Sequence, residues 1–135
     1  MSKSIFVIDD YLINLKVAEM IIKHHGFFDS ITTFEEAQLA LDFLISEQKN
    51  DQSLPDVILL DLSMPVMDGW QFLDKFEELA PLLNKRIDIY ILSSSTDIRD
   101  KMRANRYPTV KDYFTKPISE EMLQDIRATI LAYAS

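Results

Sequence analysis

Four short segments of this 135-residue sequence carry side chains able to do chemistry, and each stands at the end of an apolar run. Ile5-Phe6-Val7-Ile8 is followed by Asp9-Asp10, Val57-Ile58-Leu59-Leu60 by Asp61, and Ile87 to Leu92 by Ser93. Tyr113-Phe114-Thr115 leads into Lys116-Pro117. Three carboxylates brought into one crevice repel each other and raise at least one pKa unless a cation intervenes. A hard divalent ion, Mg²⁺ above all, suits carboxylate and carbonyl oxygens while keeping several waters. A lysine and a hydroxyl facing the same crevice add anion recognition. Acids, metal, lysine and hydroxyl together are the layout of a phosphoryl site.

Such a crevice requires elements that bring four distant strand ends together. Ile5–Ile8 and Val57–Leu60 are continuously apolar rather than alternating, as expected of parallel strands covered on both faces. Ser30 to Thr33 is a weaker strand candidate. Helical spacing fills the intervals. Ile13, Val17, Met20, Ile21 and His24 follow an i, i+4, i+7, i+8, i+11 pattern, with Gly26 as the stop. Thr33-Phe34-Glu35-Glu36 reads as a capping box before a helix carrying Ala37, Leu41 and Leu44. Asp68 caps a third helix from Gly69 to about Leu79, with Pro81 beyond it, and Asp97 to Asn105 forms a fourth. Ser119 opens a fifth, with Met122, Leu123, Ile126, Ile130 and Tyr133 facing inward. Ser46 to Pro55 is polar and reads as a flexible surface loop. Five alternations of strand and helix imply right-handed crossovers and a parallel sheet between helix layers, with ligands at the carboxyl ends of the strands. The expectation is one domain over residues 1–135.

Composition narrows the function. Fourteen basic residues against 22 acidic ones give a net charge of -8, which argues against direct nucleic-acid binding. Two glycines, Gly26 and Gly69, cannot build a phosphate-cradling loop or a dinucleotide fingerprint. The absence of cysteine excludes disulfides and thiol chemistry. No apolar run approaches membrane-spanning length and no signal-peptide pattern opens the chain, so a cytoplasmic protein without membrane attachment is expected.

The set Ile5–Asp10, Leu59-Leu60-Asp61-Leu62-Ser63-Met64-Pro65-Val66-Met67-Asp68-Gly69, Ile91-Leu92-Ser93-Ser94 and Tyr113–Pro117 resembles the receiver domain of two-component response regulators. Each piece alone is weak; four in order, each at a strand end, are specific. The resemblance implies an α/β fold with a five-stranded parallel sheet in the order 2-1-3-4-5 flanked by five helices, and no effector domain. It implies a phosphoacceptor signalling domain rather than an enzyme. Asp61 would take a phosphoryl group from a sensor histidine kinase or a histidine phosphotransfer protein. Mg²⁺ would be held by Asp10, Asp61 and the Ser63 backbone carbonyl, with Asp9 contributing directly or through water. Lys116 and Ser93 would contact phosphoryl oxygens, and Pro117, which this family often holds cis, would turn Lys116 inward. Met64-Pro65 and Asp68-Gly69 would shape the loop over the site. Ser63 and Ser95 would flank the path of the hydrolytic water, and Ser93 with Tyr113 would form the switch. Output would pass through the fourth-helix and fifth-strand face to an unidentified acidic target or to a second copy of the domain after phosphorylation. Residues 96 to 116 hold six basic against three acidic side chains, a basic face on an acidic protein. One departure from the family pattern is Tyr107-Pro108-Thr109-Val110, where a small Gly-Ala step is usual.

Blander readings compete. Asp9-Asp10 or Asp61 alone would be turn and cap residues, and Ser93-Ser94-Ser95 a polar strand end. His24 and His25 are adjacent on a helix and do not face each other, so they read as a helix end rather than a metal pair. Trp70 reads as a packing residue. Two rival functions are a receiver-like module that binds without phosphorylation and a metal-dependent phosphohydrolase. The complete acid, serine and lysine set weighs against the first. Ser63 stands where the second needs an acid.

Overall fold

The computed structural model describes residues 3–134; residues 1, 2 and 135 of the expected 1–135 domain lie outside the described residues. Five strands, β1 (Ser4–Ile8), β2 (Ser30–Phe34), β3 (Val57–Leu60), β4 (Asp88–Ser93) and β5 (Val110–Thr115), form one parallel sheet in the order 2-1-3-4-5. They alternate with α1 (Leu12–His25), α2 (Ala37–Ser46), α3 (Gly69–Leu79), α4 (Ile98–Ala104) and α5 (Glu120–Ala134), with a 3₁₀ turn at Ala80–Leu82. The architecture is the one expected.

Continuous apolarity of the central strands follows from two separate cores. Phe6, Ile8, Ile58, Leu60, Ile89 and Ile91 pack with residues of α2, α3 and α4 on one side. Ile5, Val7, Val57, Leu59, Tyr90 and Leu92 alternate with them and pack against α1 and α5 on the other. Each fully buried Ile or Leu contributes roughly 1.5–3 kcal/mol, so two covered faces fix the register firmly. Charged residues at the ends of such strands cannot slip inward. They stay at the carboxyl edge.

Several elements differ from the expectations. Helix α1 forms and ends at Gly26, whose φ of 83° lets its N–H reach the Ile22 carbonyl. Its buried face, however, is Leu15, Ala18 and Ile22, while Ile13, Val17 and Met20 are exposed. Both stripes are apolar at helical spacing, and spacing alone cannot choose between them. No capping box forms at Thr33–Glu36: Thr33 and Phe34 belong to β2, and Glu36 takes the N-cap position without a side-chain hydrogen bond. Asp68 does cap α3, accepting from the Gln71 N–H while the Gln71 side chain accepts from the Asp68 N–H. In α5, Leu123, Ile126 and Ile130 are buried, but Tyr133 is exposed and lies against the Arg86 guanidinium, 3.9 Å from the ring centroid. The Ser46–Pro55 segment is anchored by fully buried Leu54, and Lys85 Nζ donates to the Leu54 carbonyl at 3.0 Å.

The loop after β3 holds one strained residue. Val66 has φ 68°, and the Met67 N–H donates to the Pro65 carbonyl at 2.8 Å, closing a three-residue turn around it. A β-branched side chain is a genuine outlier there, and at 96% exposure Val66 has no packing to offset the strain. Val66→Asn, which tolerates this region, is expected to raise the free energy of unfolding by about 1 kcal/mol. Urea denaturation measures it, and a loss of stability would show the turn to be unstrained.

Candidate functional site

Parallel pairing brings the ends of β1, β3, β4 and β5 to one edge. Asp9 and Asp61 are both buried there, and Asp10 is exposed. The carboxylate oxygens of Asp9, Asp10 and Asp61 lie within 4.8 Å of one another, a metal-compatible group found among the described residues. Lys116 follows β5 and crosses the edge. Its Nζ lies 2.7 Å from Asp9 Oδ2 and 3.5 Å from Asp61 Oδ1. The bond between Lys116 and Pro117 is cis.

Asp9 is heavily committed. Its Oδ1 accepts from the Tyr11 N–H at 2.9 Å, and its Oδ2 accepts from Lys116 and from Asn14 Nδ2 at 3.3 Å. Asn14 is a participant that sequence reading missed; its place one turn into α1 was the available signal. Asp61 is less well served. Its Oδ1 accepts a long 3.4 Å bond from the Ser63 N–H. Burial pushes the Asp61 carboxyl up to about 6, the Asp9 carboxylate adds to the rise, and Lys116 and the Ser63 N–H oppose it. A buried acid with neighbouring acids and one lysine is poised to gain from a cation.

Gly69 sits directly beneath this group. A Cβ there would stand 2.6 Å from the Asp61 carbonyl oxygen and 2.8 Å from Leu62 Cα, so any side chain would displace the Asp61 backbone. The Gly69 N–H donates to the Leu62 carbonyl at 2.9 Å, tying the start of α3 to the end of β3. The segment 61–69 is thereby a closed loop.

Ser93 ends β4 with its side chain buried, and its Oγ accepts from the Ser95 N–H at 3.1 Å. The Lys116 N–H donates to the Ser93 carbonyl at 2.8 Å, which ties the two strand ends together. Ser63, Ser93 and Ser95 line a cleft of about 510 Å³ that also touches Pro65, Trp70 and Asp100. Tyr113 on β5 is half-buried, and its hydroxyl donates to the Ser95 carbonyl at 2.9 Å. Trp70 packs against the core and is overlaid on one side by Arg103, 4.3 Å from its ring centroid. Tyr107 stacks on Trp70 with centroids 6.2 Å apart and donates its hydroxyl to Asp74 at 2.6 Å. Thr109 also bonds to Glu77, so the unusual 107–110 segment is fastened to α3. His24 and His25 lie in the last turn of α1, far from the acid group in the sheet's layout.

No described helix is long and apolar enough to cross a membrane. The family model for the response regulator receiver domain matches residues 5–127. The probable methanogenesis regulatory protein FilR2 of Methanothrix harundinacea is 32% identical over 105 residues, covering 78% of this chain and 64% of that protein. Hybrid signal transduction histidine kinase I of Dictyostelium discoideum is 29% identical over 124 residues, 92% of this chain but 7% of that protein. The chain thus spans less than two thirds of the length of these curated relatives. A crystal structure of a two-component response regulator from Cytophaga hutchinsonii superposes with a TM-score of 0.88 at 26% identity, covering 97% of this chain and 98% of that one. Sheet order, an acid group at its carboxyl edge and a match running almost end to end agree: this chain belongs to the response regulator receiver domains of two-component signalling.

Proposed function

We propose that Asp61 is the phosphoacceptor of this receiver, taking its phosphoryl group from a histidine kinase or a histidine phosphotransfer protein. The observation that carries the reading is the Asp61 carboxylate itself. It is buried at a strand end, within 4.8 Å of two further carboxylates, and within 3.5 Å of Lys116. In the transfer, an Asp61 carboxylate oxygen forms a bond to phosphorus, the bond from phosphorus to the donor's ring nitrogen breaks, and the freed imidazole keeps the electron pair and takes a proton. Lys116 pairs with a phosphoryl oxygen, and Ser93, whose Oγ only accepts from Ser95, keeps its own proton to donate to another.

The donor set fits Mg²⁺: hard oxygens, net negative charge and an exposed Asp10 with room for water. Asp10, Asp61 and the Ser63 carbonyl would hold it, with Asp9, already paired to Lys116, in support. When bound, the ion neutralises charge between the carboxylates and an incoming phosphoryl group. Output passes through the α4–β5 face, where Lys101 lies near the Tyr113 ring and Arg106 is exposed, toward an acidic partner surface or a second copy of this domain.

Incubation with acetyl phosphate and Mg²⁺ should add one base-labile phosphoryl group, absent in Asp61→Asn and in excess chelator. Undiminished labelling of Asp61→Asn removes the assignment, and undiminished labelling in chelator removes the metal. In the same preparation, charge reversal at Lys101 and Arg106 should weaken any phosphorylation-dependent complex while Asp61 still labels. A complex indifferent to those reversals places the output face elsewhere.

A further inference from the structure

The loop between β4 and α4 is held by one residue from four directions. The Ser95 N–H donates to Ser93 Oγ, and the Ser95 carbonyl accepts from the Tyr113 hydroxyl. The Ser95 hydroxyl donates to Asp100 Oδ2 at 2.7 Å and accepts from the Asp97 N–H at 3.2 Å. Three of these partners are backbone groups or residues already assigned to the site and switch. Asp100 is not. It stands in the first turn of α4, half-buried, and lines the same cleft as Ser63 and Ser93.

We propose that Asp100 is a positioning residue for phosphoryl transfer: by fixing the Ser95 hydroxyl it sets, through the Ser95 backbone, both the orientation of Ser93 and the seat of Tyr113. The inference rests on the phosphoacceptor reading of Asp61 and extends it to a residue outside the acid and lysine group.

The physical argument is one of degrees of freedom. Ser93 Oγ can donate to a phosphoryl oxygen only if its proton points into the site. That direction is set by which lone pair receives the Ser95 N–H. The Ser95 N–H in turn moves with the peptide planes of residues 94–97. Tyr113 cannot hold those planes, because its hydroxyl sits on the end of a ring that can rotate away. Asp97 caps α4 and Asp100 lies in its first turn, and of the two only Asp100 offers a charged acceptor to the Ser95 side chain. A hydrogen bond to a carboxylate is roughly twice as strong as a neutral one. A first-turn aspartate can equally serve only the helix dipole. In that case the Ser95 bond is incidental and its loss is felt in α4 alone.

The two roles separate in an experiment with Asp100→Ala and Asp100→Asn. The protein is labelled with 3-fluorotyrosine, and the Tyr113 resonance is assigned by its loss in Tyr113→Phe. Without any phosphodonor, Asp100→Ala should shift the Tyr113 ¹⁹F signal, and Asp100→Asn, whose amide oxygen still accepts from Ser95, should return it to the parent position. With acetyl phosphate and Mg²⁺, Asp100→Ala should label about tenfold more slowly and Asp100→Asn within threefold of the parent. Should Asp100→Ala fold poorly, Ser95→Ala removes the same bond from its other end and should give the same shift and the same slowing. An unmoved Tyr113 signal with an unchanged labelling rate overturns the proposal and leaves Asp100 as a helix-dipole residue. If the parent protein itself takes no label, the phosphoacceptor reading fails, while the Tyr113 signal in the free protein still decides the coupling.

Discussion

Replacing Asp61 with asparagine is expected to make the metal-free protein more stable at pH 7.5, by about 2 kcal/mol, while removing the carboxylate proposed above to accept phosphate. The folded protein holds the Asp61 carboxyl at about 6, against an ordinary value of 3.8. A folded-state pKa above the unfolded one means that the native state binds the proton more tightly. The stability contributed by Asp61 is therefore fully present below about pH 4, is lost as pH rises through 6, and changes no further beyond. A difference of roughly two pH units corresponds to about 3 kcal/mol, and the amide's own imperfect hydrogen bonding reduces the expected gain. Urea unfolding in chelator at pH 3.5 and pH 7.5 measures it. The gain should vanish at the lower pH, where both side chains are neutral. An equal gain at both pH values would assign the effect to packing. Millimolar Mg²⁺ should stabilise the parent and not the variant, because a ligand bound only by the native state stabilises it by mass action.

Lys116→Met should act in the opposite sense. Asp9 would lose a 2.7 Å ion pair and Asp61 a weaker one at 3.5 Å, leaving two buried carboxylates side by side. Breaking one partner of a buried pair costs about 3–5 kcal/mol, and methionine keeps most of the aliphatic stem's packing. The expected loss in chelator is about 3 kcal/mol at pH 8, shrinking toward pH 5 as the Asp61 carboxyl takes up a proton. Adding Asp9→Asn to Lys116→Met should recover part of the loss, since one of the stranded charges is then gone. A loss that is the same at pH 5 and pH 8, or a double variant worse than the single one, would show that the loss comes from misfit of the methionine and not from the missing charge.

Strand ends and loop glycines were the legible part of this fold. Val57–Leu60 is apolar at every position because alternate residues enter two different cores, and a carboxylate at position 61 must then mark the edge. The same logic placed Asp9, Ser93 and Lys116 at that edge, and the structure does bring Asp9, Asp10, Asp61 and Lys116 together. Helix faces were less legible. Met20 and Val17 have the right spacing for a core yet point to solvent, because Leu15, Ala18 and Ile22 offer an equally periodic and better-placed stripe. Leu54 hid in a polar run, since one buried leucine is enough to anchor a loop and leaves no period behind. Asn14, Gln71 and Asp100 were invisible for a different reason. Their partners are set by where a turn aims a side chain, and a short polar residue in a sequence does not say which way it faces.

The stack of Arg103, Trp70 and Tyr107 has an optical consequence. Trp70 is the only tryptophan, so the protein's indole emission comes from one point at the junction of α3 and α4. That emitter has a cation over one face and touches the cleft beside Ser93. Its intensity will follow how closely α4 lies against α3, and only secondarily whether the sheet is intact. Far-ultraviolet circular dichroism reports the opposite balance. Where the two signals change together the molecule is unfolding as a whole; where emission moves first, α4 is lifting from a body that is still folded.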